Sequence, residues 1–278
     1  MARQRRHSYR RRRRGRFGGA YRVLAALAAV AALAVACVVF FRVNEVTVTG
    51  NVRYTAQEIT EISGIRAGDN LITLPKSRVA GNLIAKLPYI RSVSIRRQLP
   101  DGVLITVTEH AAAAAVSNGE NWWYIASQGK LLEQVEDTGA VMRVQGLSAV
   151  SPLAGQTVQV AQEEQNTLEY VLALLTQLEE RSMLGQCTAL DCRAAASITL
   201  EYGIYQVKLP RRPDYGQYLA LLQAAIDSDK LPQGVPGTFD LTIQEGRAYF
   251  LPQEEQEPPA QTDAGGDSGP DPSQTAEN

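Results

Sequence analysis

The chain has few of the side chains on which enzyme active sites depend. It contains two histidines and three cysteines among its 278 residues, and His110 is the one histidine beyond the first 41 residues. A nucleophilic serine needs a base to activate it, and the sequence has no G-x-S-x-G elbow, no H-E-x-x-H motif and no glycine-rich phosphate loop. We therefore expect no enzymatic activity, no catalytic residues, no metal and no cofactor. We also expect His110, in its alanine-rich surroundings, to lie on the surface.

Two of the three cysteines lie close together, at Cys187 and Cys192 in the run CTALDC. A disulfide between them would require the chain to bend, because the two residues are otherwise beyond disulfide reach. Two free thiols are the favoured alternative. A zinc site is disfavoured because no histidine is close in the sequence.

Acidic residues are missing from the first 22 residues, which carry ten arginines. Charge of either sign is then missing from residues 23–41, whose 19 residues would span about 28 Å as a helix. We predict a basic cytoplasmic tail at 1–22 and a transmembrane helix at 23–41. Short basic flanks remain in the cytoplasm, so the rest of the chain should lie outside the membrane.

Three other interpretations of this segment are open. The run Ala34-Val35-Ala36 fits a signal-peptide cleavage site, but the apolar stretch exceeds a usual signal-peptide core and continues past that site. Cys37 could anchor a lipoprotein, although Ala34 is a poor residue ahead of it. Clustered arginines attract nucleic-acid phosphates, but a basic tail beside a membrane sets topology and attracts anionic lipid. We expect no nucleic-acid partner.

The opposite end of the chain lacks basic residues. Residues 253–278 contain seven acidic residues and no Lys or Arg, and they are rich in Pro, Gly, Ser and Gln. Such a composition cannot bury enough apolar surface to offset the entropy of ordering. We predict a disordered acidic tail, which leaves 43–252 as the folded part, enough for two modest domains.

The first outer domain is predicted at 43–110. Apolar and polar residues alternate over 43–50, as in a half-buried strand. Thr55 with Glu58 three residues later has the spacing of a capping box, and a second helix follows Pro75. Two alternating segments flank residues 100–102, Pro-Asp-Gly, and predict a hairpin. The order β-α-α-β-β predicts a small sheet with two helices on one face, in the α+β class.

The second outer domain is predicted at 111–252, as a mixed α/β domain with an extended antiparallel sheet. Its elements are a hairpin over 122–132, a short strand at 141–144, a Leu-rich helix at 161–180, a strand pair over 198–209, a helix containing Leu219, Leu222 and Ile226, and a terminal hairpin over 238–250.

The ordered series of motifs resembles one known family. The runs FRVNEVTVTGNVRYTAQEI and LPYIRSVSIRRQLPDGVLITVTEH are similar to the POTRA domain of the bacterial cell-division family FtsQ/DivIB, and YIASQGKLL, EYGIYQVKL and GTFDLTIQEGRAYF match its second domain. The family often continues its POTRA motif as Glu-Arg-x-Pro, where this chain has Glu109-His110-Ala111-Ala112. The resemblance covers about residues 40–252.

This resemblance implies a non-enzymatic scaffold of the divisome in the cell membrane, concentrated at the division septum, that coordinates septal peptidoglycan synthesis. The implied partners are single-span division proteins of the FtsL and FtsB/DivIC kind, with septal peptidoglycan synthases as further candidates. An exposed sheet edge can accept a partner strand, and the resemblance places that contact on Phe239, Ile243, Arg247, Tyr249 and Phe250. The alternatives are a POTRA-containing chaperone of another envelope pathway and a membrane-anchored hydrolase.

Overall fold

A computed structural model describes residues 17–119, 121–228 and 234–253 of the chain. Most of the predicted basic tail at 1–22 and nearly all of the predicted acidic tail at 253–278 lie outside the described residues. The helices are α1 (Phe17–Phe40), α2 (Ala56–Ser63), α3 (Lys76–Lys86), α4 (Gln165–Glu180) and α5 (Gly216–Ile226). The strands are β1 (Glu45–Thr49), β2 (Ile90–Gln98), β3 (Gly102–Glu109), β4 (Ala114–Asn118), β5 (Asn121–Ile125), β6 (Leu131–Val135), β7 (Arg143–Ser148), β8 (Cys187–Asp191), β9 (Ser197–Tyr202), β10 (Tyr205–Pro210), β11 (Gly237–Asp240) and β12 (Tyr249–Pro252).

The N-terminal helix α1 stands apart from the rest of the described chain. It has 24 residues, or about 36 Å of helix. Its segment Gly19–Ala36 has a mean hydropathy of 1.9 and is not buried by any other part of the structure. Among the residues described, α1 is the one helix long and apolar enough to cross a membrane.

The first domain is a three-stranded sheet with two helices around one core. The strand order is β1-β3-β2, with β1 parallel and β2 antiparallel to the central strand β3. The predicted start of α2 is confirmed, since the Thr55 side chain accepts the Glu58 N–H. Gly64 ends that helix in the left-handed conformation, with φ 73°. Val79 and Leu83 of α3 are buried against the sheet, as their four-residue spacing predicts.

The second domain is built on a nine-stranded sheet with the order β12-β11-β10-β9-β8-β7-β4-β5-β6. The predicted α+β class is confirmed. The sheet is extended but mixed rather than purely antiparallel, because the pairs β4–β7, β7–β8 and β10–β11 are parallel. Helices α4 and α5 bury their leucines in the sheet's main core.

The two domains meet through Glu133 of β6, which receives two polar side chains of the first domain. Arg53 forms an ion pair with Glu133 at 2.5 Å, and the Tyr89 hydroxyl donates to the same carboxylate at 2.7 Å. The Arg53 guanidinium also lies 4.1 Å from the centre of the Tyr89 ring, in the range of a cation–π contact. Because Tyr89 is buried, these contacts are shielded from water on one side.

A second group of contacts joins the domains beside the first. Arg91 pairs with Glu179 of α4 at 3.3 Å, and the Ser127 hydroxyl donates to the same carboxylate. The Lys130 ammonium donates to the Ile90 carbonyl at 3.1 Å. The start of β2 therefore contacts both the sheet and the long helix of the second domain.

His110 lies at this junction, and the expectation that it lies on the surface is wrong. The residue is 9% exposed, because residues of both domains pack around it. Burial lowers the pKa of His110 from its ordinary value, and the nearby charges of Lys130 and Arg91 lower it further, while Glu179 acts in the opposite direction. The imidazole is therefore neutral at pH 7.

Gly50, directly after β1, provides a test of the first domain's packing. It has φ +81°, and a Cβ there would lie 2.2 Å from the Val107 carbonyl oxygen in β3. We expect Gly50→Ala to destabilise the domain by about 2–4 kcal/mol, since it combines left-handed strain with a backbone clash. The measurement is urea unfolding of the detergent-solubilised chain followed by circular dichroism.

Gly64→Ala is the matched control. Gly64 has φ +73°, but the space that an added Cβ would occupy is open, so only the conformational strain of about 1 kcal/mol should appear. Equal losses in both variants would contradict the close approach of Gly50 to β3.

His110 provides a test of the junction. Because its pKa in the folded chain is lower than that of an unfolded histidine, the unfolded chain takes up more protons in acid. The free energy of unfolding should therefore fall as the pH drops below the ordinary histidine pKa of 6.5. When the pH is lowered from 7.5 to 5.5, the midpoint temperature of thermal unfolding should fall less in His110→Gln than in the parent protein. The same pH dependence in both proteins would show that His110 does not titrate at the junction.

Candidate functional site

Strand β12 forms one edge of the nine-stranded sheet within the described chain, as expected for the last hairpin. It pairs with β11 in antiparallel register, with Phe239 opposite Phe250 and Asp240 opposite Tyr249. The side of β12 that faces away from β11 has no neighbouring strand among the residues described. Its backbone groups are therefore available to a further strand.

The pairing determines which backbone groups of β12 point outward. The Gln253 N–H donates to the Pro236 carbonyl at 2.9 Å. Because successive backbone groups of a strand point to opposite sides, Tyr249 and Leu251 bond toward β11 while Phe250 and Pro252 point away. Proline has no N–H. Along β12 the outward edge thus offers one N–H, from Phe250, and the carbonyls of Phe250 and Pro252.

Three aromatic rings pack together on the core face of this edge. Phe239 is 1% exposed, and its ring centre lies 4.9 Å from that of Phe250 and 5.2 Å from that of Tyr205. Gly237 makes the packing possible, since a Cβ there would lie 2.6 Å from the Phe250 ring. The sequence did not indicate Tyr205 or Gly237 as part of the site. The one signal for Tyr205 in the sequence was an aromatic side chain at the first position of strand β10.

The five predicted partner-binding residues all lie on the last hairpin, but in different environments. Phe239 is a core residue, Phe250 is half-buried against it, and Tyr249 is half-buried on the opposite face of β12. Ile243 and Arg247 were expected on strands that continue to a turn at 245–246. Instead they lie, exposed, in an irregular connection at 241–248, whose Gln244 side chain accepts a hydrogen bond from the Tyr249 hydroxyl at 3.0 Å.

A groove of about 300 Å³ lies between this connection and α5. Its lining consists of Gln217, Tyr218, Ala220, Leu221, Glu245 and Gly246. The exposed surface is mainly apolar, and it lies next to the chain that enters β12.

The two cysteines outside α1 are structural. Cys187 and Cys192 are free and buried, and burial raises the pKa of each thiol to about 12. Residues 187–191 form strand β8, which places the two cysteines about 16 Å apart along an extended chain, far beyond disulfide reach. Within the described ranges no group of three or more His, Cys, Asp or Glu side chains could hold a metal ion.

Comparisons with known proteins agree with this architecture. A family model described as "POTRA domain, FtsQ-type" matches residues 41–110. The cell division protein DivIB of Clostridium acetobutylicum is 34% identical over 34% of the chain and 37% of its own length. The cell division protein FtsQ of Corynebacterium glutamicum is 30% identical over 39% of the chain and 48% of its own length.

A longer match extends over both domains. The cell division protein DivIB of Clostridium botulinum is 21% identical over 76% of the chain and 82% of its own length. The chain spans less than half the length of the first two relatives. Residues 41–110 therefore form a POTRA domain of the FtsQ type, and the chain is similar to bacterial cell division proteins of the FtsQ and DivIB kind.

Proposed function

We propose that the protein is a non-enzymatic scaffold of the divisome. It would hold single-span division proteins of the FtsL and FtsB/DivIC kind at the septum and so coordinate septal peptidoglycan synthesis, with the peptidoglycan synthases as further contacts. The FtsQ-type POTRA domain and the similarity to cell division proteins support a role in cell division, and α1 supports attachment to the membrane by a single span. The basic residues before α1 favour a cytoplasmic N-terminus and outer domains outside the cell membrane.

The observation that carries the proposal is the open edge at β12. A strand added there would accept a hydrogen bond from the Phe250 N–H and donate to the carbonyls of Phe250 and Pro252. Each such backbone bond contributes only about 0.5–1.5 kcal/mol net. So short an edge cannot supply a stable complex through its backbone alone.

Side chains must therefore add to the affinity. Leu251 is 56% exposed on the face of β12 opposite the core, beside the half-buried Tyr249. Aromatic side chains at the centre of an interface commonly carry much of its binding energy. Tyr249 and Leu251 would flank an added strand on one face, while the groove beside α5 lies near the start of β12.

The hydrolase alternative is disfavoured by the position of His110. A general base must come within hydrogen-bond reach of the group that it deprotonates. The His110 side chain is largely buried between the two domains, beside Lys130 and Arg91. It lines an open groove at the junction, but the lining of that groove includes no serine or cysteine for it to deprotonate.

A pair of substitutions at Phe250 tests strand addition. Phe250→Pro removes the one outward N–H of β12, and Phe250→Leu keeps that N–H while removing the same aromatic ring. Loss of one interface hydrogen bond costs about 1–3 kcal/mol when the partner's carbonyl is left unpaired. Binding of an FtsL–DivIC pair to the full chain should therefore weaken at least about fivefold more in Phe250→Pro than in Phe250→Leu. The measurement is a quantitative pull-down in detergent, with thermal unfolding to confirm that both variants are folded.

Lysine substitutions distinguish the contribution of β12 to partner binding from that of the connection at 241–248. Tyr249→Lys and Leu251→Lys place charge beside the added strand and should weaken binding, whereas Ile243→Lys, at an exposed position off the strand, should have a smaller effect. Wild-type binding by Phe250→Pro, or a larger loss at Ile243 than at Leu251, would refute the edge-strand proposal.

A further inference from the structure

The first domain is joined to α1 without a free linker. Only four residues separate Phe40, at the end of α1, from Glu45, at the start of β1. The Phe41 carbonyl accepts the Leu71 N–H at 2.9 Å, and the Val43 N–H donates to the Asp69 carbonyl at 2.8 Å. The segment that leaves α1 is thus bonded into the domain from its first residue.

A second loop is bonded to the same segment. The Asn44 N–H donates to the Asp101 carbonyl at 2.8 Å, and Glu45 lies opposite Gly102 in the parallel pair of β1 and β3. Since both strands run away from α1, the residues just before Gly102 lie at the end of the sheet nearest α1. We define the α1-proximal surface as residues 41–45, 66–78 and 96–101.

Two apolar side chains are exposed on the α1-proximal surface. Leu99 is 68% exposed and Ile72 is 47% exposed. Arg97 connects their loops, since its guanidinium donates to the Leu71 carbonyl at 2.6 Å and to the Ile72 carbonyl at 2.7 Å. Single exposed apolar residues are ordinary on a protein surface. Here two of them lie on loops that Arg97 connects, at the end of the sheet nearest α1.

The charge of the α1-proximal surface is positive. It contains six basic residues, Arg42, Arg66, Lys76, Arg78, Arg96 and Arg97, and three acidic ones, Glu45, Asp69 and Asp101, for a formal net charge of +3. Two of the acidic side chains accept hydrogen bonds from other residues of this surface. The Asp69 carboxylate accepts the Arg66 N–H at 2.9 Å, and the Asp101 carboxylate accepts the Asn44 amide at 3.1 Å.

We propose that the α1-proximal surface rests on the outer leaflet of the membrane that α1 crosses. Leu99 and Ile72 would enter the boundary between headgroups and acyl chains, and the surrounding arginines and lysine would contact lipid phosphates. The headgroup region of one leaflet is about 5–8 Å thick, and four residues such as 41–44 reach at most about 13 Å when extended, which is enough to cross it. The inference rests on α1 as a membrane span, which is part of the proposed function, and it is independent of strand addition at β12.

A fluorescent probe at each apolar position tests this contact. Leu99→Cys and Ile72→Cys are made in the full chain with Cys37→Ser and labelled with the polarity-sensitive dye NBD. The labelled chain is reconstituted into vesicles of phosphatidylethanolamine and phosphatidylglycerol, and flotation confirms its insertion. The buried Cys187 and Cys192 should react little, and the parent without an added cysteine measures that background.

Val52→Cys is the matched control, since Val52 is 92% exposed in the same domain but follows the far end of β1. We expect the dye at 99 and 72 to shift to the blue on reconstitution and to be quenched at least about twofold more than at 52 by spin-labelled lipid. Lowering the phosphatidylglycerol content should weaken the effect.

Inserted chains in which 99 and 72 behave like 52 would overturn the proposal. Chains that fail to float with the vesicles would overturn it too, by removing the span on which it rests. The pull-down with the FtsL–DivIC pair is made in detergent, so it reports on the β12 edge whatever the vesicles show.

Discussion

The parallel pairing of β1 with β3 is the constraint on which the rest of the structure depends. β1 follows α1 after four residues, and β3 leads through Glu109 and His110 toward the second domain. A parallel pair needs a long crossover, and α2, α3 and β2 provide it. The register from Glu45↔Gly102 to Thr49↔Thr106 therefore connects the apolar helix to everything that follows.

The contacts around His110 fix the second domain relative to the first. Isolated surface ion pairs contribute little stability, so Arg53–Glu133 alone would not fix two domains. Here the same carboxylate also accepts the hydroxyl of the buried Tyr89, and Lys130 bonds a backbone carbonyl of β2. Together the contacts position the nine-stranded sheet, with β12 at one edge and β6 at the junction end.

Local features were predictable from the sequence, and features created by distant neighbours were not. The Thr55 cap, the Gly64 helix end and the β9–β10 hairpin depend on residues close in the chain, and the structure confirms them. Strand β8 was missed. Its antiparallel partner β9 is close in the chain, but its parallel partner β7 lies about 40 residues away, across α4, and local sequence does not indicate that second pairing. His110 was misplaced because the side chains that bury it belong to both domains.

At the candidate site too, features set by nearby residues were predictable and features set by distant residues were not. Sequence pattern found the last hairpin and its aromatic residues, but it extended both strands too far, because alternation continues through Ile243 and Arg247 while pairing does not. Whether Phe239 faces a partner or the core could not be known without Tyr205 beneath it.

Pro252 affects whether two copies of the protein can pair through β12. An open edge is a hazard, since two identical molecules can join their sheets into a continuous ribbon. A two-fold pairing of β12 with itself needs donors at matched positions on both strands, and proline removes the donor at 252 from each. The same edge remains usable by a different chain whose donors meet the two free carbonyls, so the proline discourages homotypic aggregation while leaving heterotypic assembly open.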